Sequence, residues 1–199
     1  MRSACDILNF MDKYFDPKIV NPILSGFIDE LITGQGNLVA SKPFEVVVKP
    51  IEEYEGRWRV KATDKFDVSV YITAISFYLS KSDMPLHRAR GAMVFYMDTE
   101  VADKLFKAAG LKVPYDEDDE SMMELCGSLS QTIAHAFRDR LAAAGYITLE
   151  VSQASVYKNT ISEGVEFSRD QDEKHELSFY FLKHKALVIE WAMAPIPKK

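Results

Sequence analysis

Cysteine is almost missing from this sequence: 199 residues hold two, Cys5 and Cys126, too few to read as a disulfide framework. Long apolar runs are missing as well. No window approaches the roughly 18 apolar residues that a membrane-crossing helix needs. Asp6, Asp12, Lys13 and Asp16 interrupt the N-terminal segment, so it lacks the uninterrupted apolar stretch of a secretory signal. The expected compartment is the cytoplasm, with no membrane association. A surplus of positive charge is also absent: 24 Lys and Arg stand against 30 Asp and Glu, for a net charge of −6. Without a basic stripe, nucleic acid is not an expected partner, and an anionic membrane surface is disfavoured for the same reason. There is no internal repeat and no low-complexity linker, which points to one domain over residues 1–199.

Several site signatures are missing too. His87, His135, His175 and His184 show no HxxxH or HxH spacing and no Cys pair joins them, so no metal site is expected. A Ser nucleophile would need a GxSxG elbow or a comparable turn, and none is present. Gly34-Gln35-Gly36 has neither a following Lys-Ser/Thr nor a third glycine, so it reads as a loop rather than a phosphate cradle. In the run Asp116-Glu117-Asp118-Asp119-Glu120 five consecutive side chains cannot converge on a cation as those of an EF-hand do. No cofactor is expected.

What is present is ordinary globular patterning, 47% hydrophobic and 27% charged. A short helix is expected over residues 7–14. A longer one opens at Asn21 as N-cap with Pro22 at its first position, carries Ile23, Leu24, Phe27, Ile28 and Leu31 at helical spacing, and ends near Gly34. Strands are expected over 44–48, over 58–62 and over 68–79. In the second of these Trp58, Val60 and Ala62 alternate with Arg57, Arg59 and Lys61; the third reads as central. A polar connection over 80–90 leads to a strand over 92–97. A helix then opens at Asp98-Thr99 and closes at Gly110, and the longest helix spans about 118–144. Strands over 147–157, 176–182 and 187–192 follow, the last two as a hairpin, with His175 and His184 marking the ends of one strand. This is not βαβ alternation. The expected class is α/β in the α+β sense: a mostly antiparallel sheet with long helices packed on one face.

The longest helix sorts its residues most clearly. At 100° per residue Met122, Leu125, Cys126, Leu129, Ile133, Ala136 and Phe137 share one side, while Glu124, Ser128, Gln131, His135 and Arg138 share the other. Packing the apolar side on a sheet leaves Glu124 in solvent.

The segment Glu120-Ser121-Met122-Met123-Glu124-Leu125-Cys126-Gly127 resembles the active helix of the CheC/CheX/FliY chemotaxis phosphatases, in particular the CheX branch. In that helix an acid or Ser is followed one turn later by Glu-Leu and then by Asn. Glu120 and Glu124-Leu125 match, but Gly127 stands where the family has Asn. A family proline downstream is also missing, the region here reading Thr148-Leu149-Glu150. Element order carries the likeness over residues 19–193, beginning with the helix at Asn21-Pro22. The resemblance implies a two-component signalling role: binding of a phosphorylated CheY-type response regulator across this helix. The Glu would pair with the regulator's active-site lysine and the Asn amide would orient a water in line with the aspartyl phosphate. It therefore implies a catalytic role for Glu124 and contacts from Glu120, Ser121, Gly127, Ser128 and His135. Glycine cannot orient water, so catalysis would need Gln131, which carries the same amide one turn beyond Gly127, about 6 Å along the axis. The alternative is a non-enzymatic interaction module on the same fold, in the manner of flagellar switch proteins. A homodimer joined at sheet edges is implied as well.

Overall fold

The computed structural model describes residues 17–36, 38, 40–115, 118–161, 163–181 and 183–198; Cys5, the short helix expected over 7–14 and the first two acids of the 116–120 run lie outside them. In chain order the elements are α1 (Pro17–Gly36), β1 (Glu45–Pro50), β2 (Glu53–Tyr54), β3 (Arg57–Trp58), β4 (Val70–Tyr78), a single 3-10 turn (Lys81–Asp83), β5 (Gly91–Asp98), α2 (Ala102–Ala108), α3 (Asp119–Ala143), β6 (Glu150–Val151), β7 (Ser155–Lys158), β8 (Glu173–Phe181) and β9 (His184–Met193). Seven strands form one sheet in the order β1-β8-β9-β5-β4-β6, with β7 also paired to β4 and every pairing antiparallel. The architecture is the α+β, mostly antiparallel sheet that the sequence leads one to expect. Among the described residues no helix is long and apolar enough to cross a membrane.

Successive side chains of a strand point to opposite faces, and here both faces are covered. Tyr71, Ile75 and Phe77 of β4, Met93 and Phe95 of β5, and Ile189 and Trp191 of β9 join Leu24 and Ile28 of α1, Phe106 of α2, and Met122, Cys126, Ile133 and Phe137 of α3 in one core. The alternate residues Val70, Ile72, Val94, Tyr96 and Val188 form a second core with Trp58, Val60, Ile161, Val165 and Phe167. Double coverage is why β4 and β5 read as near-continuous apolar runs. Each fully buried Leu, Ile or Phe contributes roughly 1.5–3 kcal/mol.

Four elements differ from the sequence reading. Helix α1 starts a turn before Asn21, so Pro22 lies inside it and the bond that its missing N–H would make is lost. Tertiary contacts hold that extra turn. Val20 is fully buried, Trp191 Nε1–H donates to Asn21 Oδ1 at 2.9 Å, and the His175 ring stacks on Trp191 with centroids 4.6 Å apart. Asn21 therefore tethers the helix to the sheet and does not cap it. The helix also continues through Gly36, where a loop was expected.

The strand expected over 147–157 is two strands, β6 and β7, on successive halves of β4. Between them Ser76 N–H donates to Ser152 Oγ at 2.9 Å, while Ser152 N–H donates to Ser76 O at 2.9 Å. A side chain thus replaces a backbone group in the ladder, and the Ser152 carbonyl is left for α3 to take. Of the alternating stretch 57–62 only Arg57–Trp58 is a strand, paired with β2 and bonded through Trp58 to Val165. His175 and His184 belong to neighbouring strands, β8 and β9, rather than to the ends of one.

Candidate functional site

Helix α3 opens on Asp118, whose carboxylate accepts from Ser121 N–H at 3.0 Å and from the Ser121 hydroxyl at 2.8 Å, a side-chain N-cap. The Ser121 backbone bond is the chief reason the Asp118 carboxyl lies below the usual range. Asp119 then fastens the helix start to the sheet: it accepts from Lys158 Nζ at 2.7 and 2.6 Å and from Tyr71 OH at 3.0 Å. Those bonds, Lys158 first, lower the Asp119 carboxyl, and burial together with Asp119 pushes the Tyr71 phenol up to about 12. The helix is thereby pinned in register over β4 and β7.

The polar side expected for this helix divides into two. Glu120, Glu124 and Ser128 are exposed and follow one another at intervals of one turn, with Thr132 extending the ridge and donating its hydroxyl to Ser128 O at 2.9 Å. Glu124 has no hydrogen bond or ion pair among the described residues. Ser121, Gln131 and His135 are half-buried instead. Gln131 Nε2 donates to Ser152 O at 3.0 Å and lies 2.9 Å from His135 Nε2, while its Oε1 is buried without a partner. Gly127 is buried, and a Cβ built on it would lie 3.1 Å from Val156 Cγ2 and 3.9 Å from Ala154 Cβ. The residue at the family's Asn position thus faces β7, beneath Val156, rather than the open ridge. The apolar stripe packs as expected, and burial pushes the Cys126 thiol well up, leaving it an inert core group.

Sequence reasoning missed Thr132, although its i+8 spacing from Glu124 was visible. It also missed the Tyr71–Asp119–Lys158 anchor, which only the pairing of β7 with β4 brings together. A third assembly lies on the other face of the sheet. Glu190 is fully buried, 2.7 Å from Lys65 Nζ and 2.8 Å from Lys174 Nζ, and accepts from Tyr96 OH at 2.7 Å. Glu176 holds Lys49 at 2.7 Å and Lys65 as well. Burial alone would raise the Glu176 carboxyl, but the lysine hydrogen bonds outweigh it and lower it. Burial alone would lower Lys65, and Glu190 with Glu176 overcomes that and raises it. Every charge in the group has a partner, so it reads as a clamp holding residues 58–65 to the sheet. Among the described residues no three His, Cys, Asp or Glu side chains are placed to hold a metal ion.

No protein-family model matches the sequence, and no curated protein does. Solved structures do resemble it. A CheC-like superfamily protein from Shewanella sp. PV-4 superposes with a TM-score of 0.55 at 15% identity, over 89% of this chain and 97% of that one. FliY of Thermotoga maritima gives 0.52 at 12%, over 90% and 91%. CheX of Borrelia burgdorferi, solved in a complex with CheY, BeF3 and Mg2+, gives 0.51 at 14%, over 90% and 98%. At these identities the likeness is one of fold, and the chain has the fold of the CheC, CheX and FliY chemotaxis proteins.

Proposed function

We propose that this protein is a cytoplasmic chemotaxis module that binds a CheY-type response regulator along the exposed ridge of α3, with Glu124 at its centre. The observation that carries the reading is the state of Glu124: an exposed carboxylate with no partner among the described residues, on the helix whose sequence resembles the active helix of the chemotaxis phosphatases, in a fold whose neighbour, the Borrelia CheX, forms a complex with CheY. An exposed carboxylate there is free to pair with the regulator's active-site lysine. Glu120 and Ser128 border it, His135 lies beside the ridge, Ser121 is engaged in the N-cap, and the buried Gly127 acts only through the packing of α3 on β7.

Aspartyl-phosphate hydrolysis by Glu124 and Gln131 is the second reading. Gln131 carries the right group, but its N–H2 is bonded to Ser152 O and its Oε1 faces no solvent, so the amide must leave Ser152 before it can orient a water. This favours binding without catalysis. The test is the decay of a phosphorylated CheY-type regulator with and without this protein, alongside Glu124→Ala and Gln131→Ala. Binding that Glu124→Ala weakens, with no acceleration of decay, is the expected outcome. Acceleration lost in both variants would establish the phosphatase, and neither binding nor acceleration would end the proposal.

A homodimer joined at sheet edges belongs to the same reading. Among the described residues β1 pairs only with β8, and Val46, Val47 and Val48 on it are 40%, 46% and 50% exposed, an edge suited to a second strand. Light scattering at high micromolar concentration is expected to give twice the chain mass; a monomer mass excludes the dimer.

A further inference from the structure

On the sheet face away from the helices, a cavity of about 530 Å³ opens between residues 54–63 and residues 159–161, 163 and 164. That volume falls inside the ~300–1,000 Å³ range of small-molecule sites. One wall is the alternating stretch noted in the sequence. Trp58, Val60 and Ala62 are buried in the second core, so Arg57, Arg59 and Lys61 emerge along the cavity. Lys61 is paired with Glu52 at 2.5 Å. The backbone of Arg59 donates to Glu52 O at 2.7 Å, but the guanidiniums of Arg57 and Arg59 have no ion pair and no hydrogen bond among the described residues. In a chain with 30 acidic residues and a net charge of −6, carboxylate partners are not scarce. Glu163 is the single acid on the lining among the described residues, and it lies beyond ion-pair distance of both.

The opposite wall offers donors. Asn159 Oδ1 is occupied by Val70 N–H and the Ser69 hydroxyl, each at 2.9 Å, which leaves the Asn159 amide N–H2 to donate; Thr160 adds a hydroxyl. Ile161, buried to 6% exposure, supplies apolar surface. Tyr54 lines the same cavity while 63% exposed, and a tyrosine left in water at a cavity has a free ring face.

We propose that this cavity binds a nucleoside phosphate, with the guanidiniums of Arg57 and Arg59 on the phosphate and the Tyr54 ring against the base. Guanidinium forks match phosphate oxygens in bidentate geometry and are less strongly hydrated than ammonium. An aromatic face stacks a base with little preference for which base it is. Inorganic phosphate alone would leave Tyr54 and most of the volume unused, and a nucleoside alone would leave both arginines unpaired. The site lies on the opposite side of the sheet from Glu124 and stands or falls independently of the regulator reading.

The test is titration of the full chain at low salt, by calorimetry and by 15N chemical shifts, with AMP, GMP, CMP, UMP, adenosine and inorganic phosphate. The mononucleotides are expected to bind at least about tenfold more tightly than adenosine or phosphate, shifting the amides of Tyr54, Asn159 and Thr160. Arg59→Glu is expected to weaken them at least tenfold and Tyr54→Ala severalfold, whereas Arg138→Ala on α3 leaves them unchanged. Arg59 and Tyr54 are exposed, and unchanged thermal midpoints establish that the variants fold. Absence of mononucleotide binding at millimolar concentration overturns the proposal. So does binding indifferent to Arg59→Glu, or phosphate binding as tightly as AMP.

Discussion

Toward the helices, β4, β5 and β9 present Phe77, Phe95, Ile189 and Trp191 to an apolar core. Away from them, the same sheet gathers Tyr96, Lys174, Glu176 and Glu190 around Lys65 of a covering segment. The first face is held by area removed from water, a non-directional force that tolerates substitutions of similar volume. The second is held by ion pairs whose desolvation is repaid only when every partner is in place. One is forgiving and the other is not, and the comparison can be broken by experiment.

The largest effect is expected from Glu190→Ala. It strands Lys174 and the Tyr96 hydroxyl in a dry site and leaves Lys65 to Glu176 alone, and removal of one partner from a buried ionic group costs about 3–5 kcal/mol, read as a shift in urea midpoint. Phe137→Ala on the helical face is expected to cost a similar ~3–5 kcal/mol through the cavity it leaves. The sharpening variant replaces Glu176, Glu190, Lys65 and Lys174 together with apolar residues of matched volume, and Tyr96 with Phe so that no buried hydroxyl loses its acceptor. Near-native stability is expected, because the cost lies in breaking the network rather than in lacking it. If Glu190→Ala costs less than about 1 kcal/mol, the charges are not holding the cover and the contrast between the faces fails.

Next comes Gly127. A glycine inside a helix costs about 1 kcal/mol relative to Ala, and the compensating feature is close approach: Val156 Cγ2 lies 3.1 Å from where a Cβ would sit. Gly127→Asn, which places there the Asn of the motif this helix resembles, is expected to cost about 1–3 kcal/mol by overpacking and to leave regulator dephosphorylation where it was. A stable Gly127→Asn variant that accelerates decay would mean that β7 yields, and that the wild type is one substitution from catalysis.

These contrasts also explain what the sequence could and could not disclose. The helical face was legible because burial there follows period: the stripe from Met122 to Phe137 and the runs at 68–79 and 92–97 announce themselves by apolar spacing alone. The order of elements, and with it the fold, followed. The covering segment was only half legible. Its alternation of Trp58, Val60 and Ala62 with three cations was plain, but nothing local marks Glu176 and Glu190 as buried, because the partner they share, Lys65, comes from far away in the chain. Asn21 reads as a cap because Asn before Pro is a cap signal; its bond to Trp191 is tertiary and leaves no local trace. The burial of Gly127 likewise depends on β7, set by the break at Ser152, and neither follows from the spacing of α3.

A pH series separates the faces by their titrating groups. The Glu176 carboxyl is lowered from 4.5, so its contribution is present above that pH and lost as pH falls through the folded value. Lys65 is raised from 10.5, so its contribution is complete below that pH and lost as pH climbs through the folded value. The helical face has His175 on Trp191, lowered from 6.5 by burial against an opposing pull from Glu173. Its unfolded form takes up a proton first, so stability is expected to decline as pH drops from 6.5 toward the folded value. His175→Phe keeps a ring against Trp191 and is expected to flatten the curve just below pH 6.5 while leaving the acid limb below 4.5. A wild-type curve already flat in that interval would place the acid sensitivity with the network alone.

Glu124→Ala should change stability least, and for that reason it isolates function from fold. The side chain is exposed and has no partner among the described residues, so the variant is expected to lie within ~0.5 kcal/mol of wild type in urea unfolding. Its affinity for a phosphorylated CheY-type regulator is expected to fall roughly tenfold, about 1.4 kcal/mol, with the loss shrinking as salt is raised because an ion pair at a wet interface is screened. Glu120→Ala, one turn earlier and also exposed, serves as the calibrating neighbour, with a smaller loss and a similar salt response. If Glu120→Ala weakens binding as much as Glu124→Ala, the ridge attracts the regulator by its summed charge, and no single carboxylate is placed against the lysine. If only Glu124→Ala weakens it, the geometry of α3 over β4 and β7, fixed by Asp119, Lys158 and Tyr71, is what puts that carboxylate in position. In that case Lys158→Ala should lower affinity without touching the ridge itself.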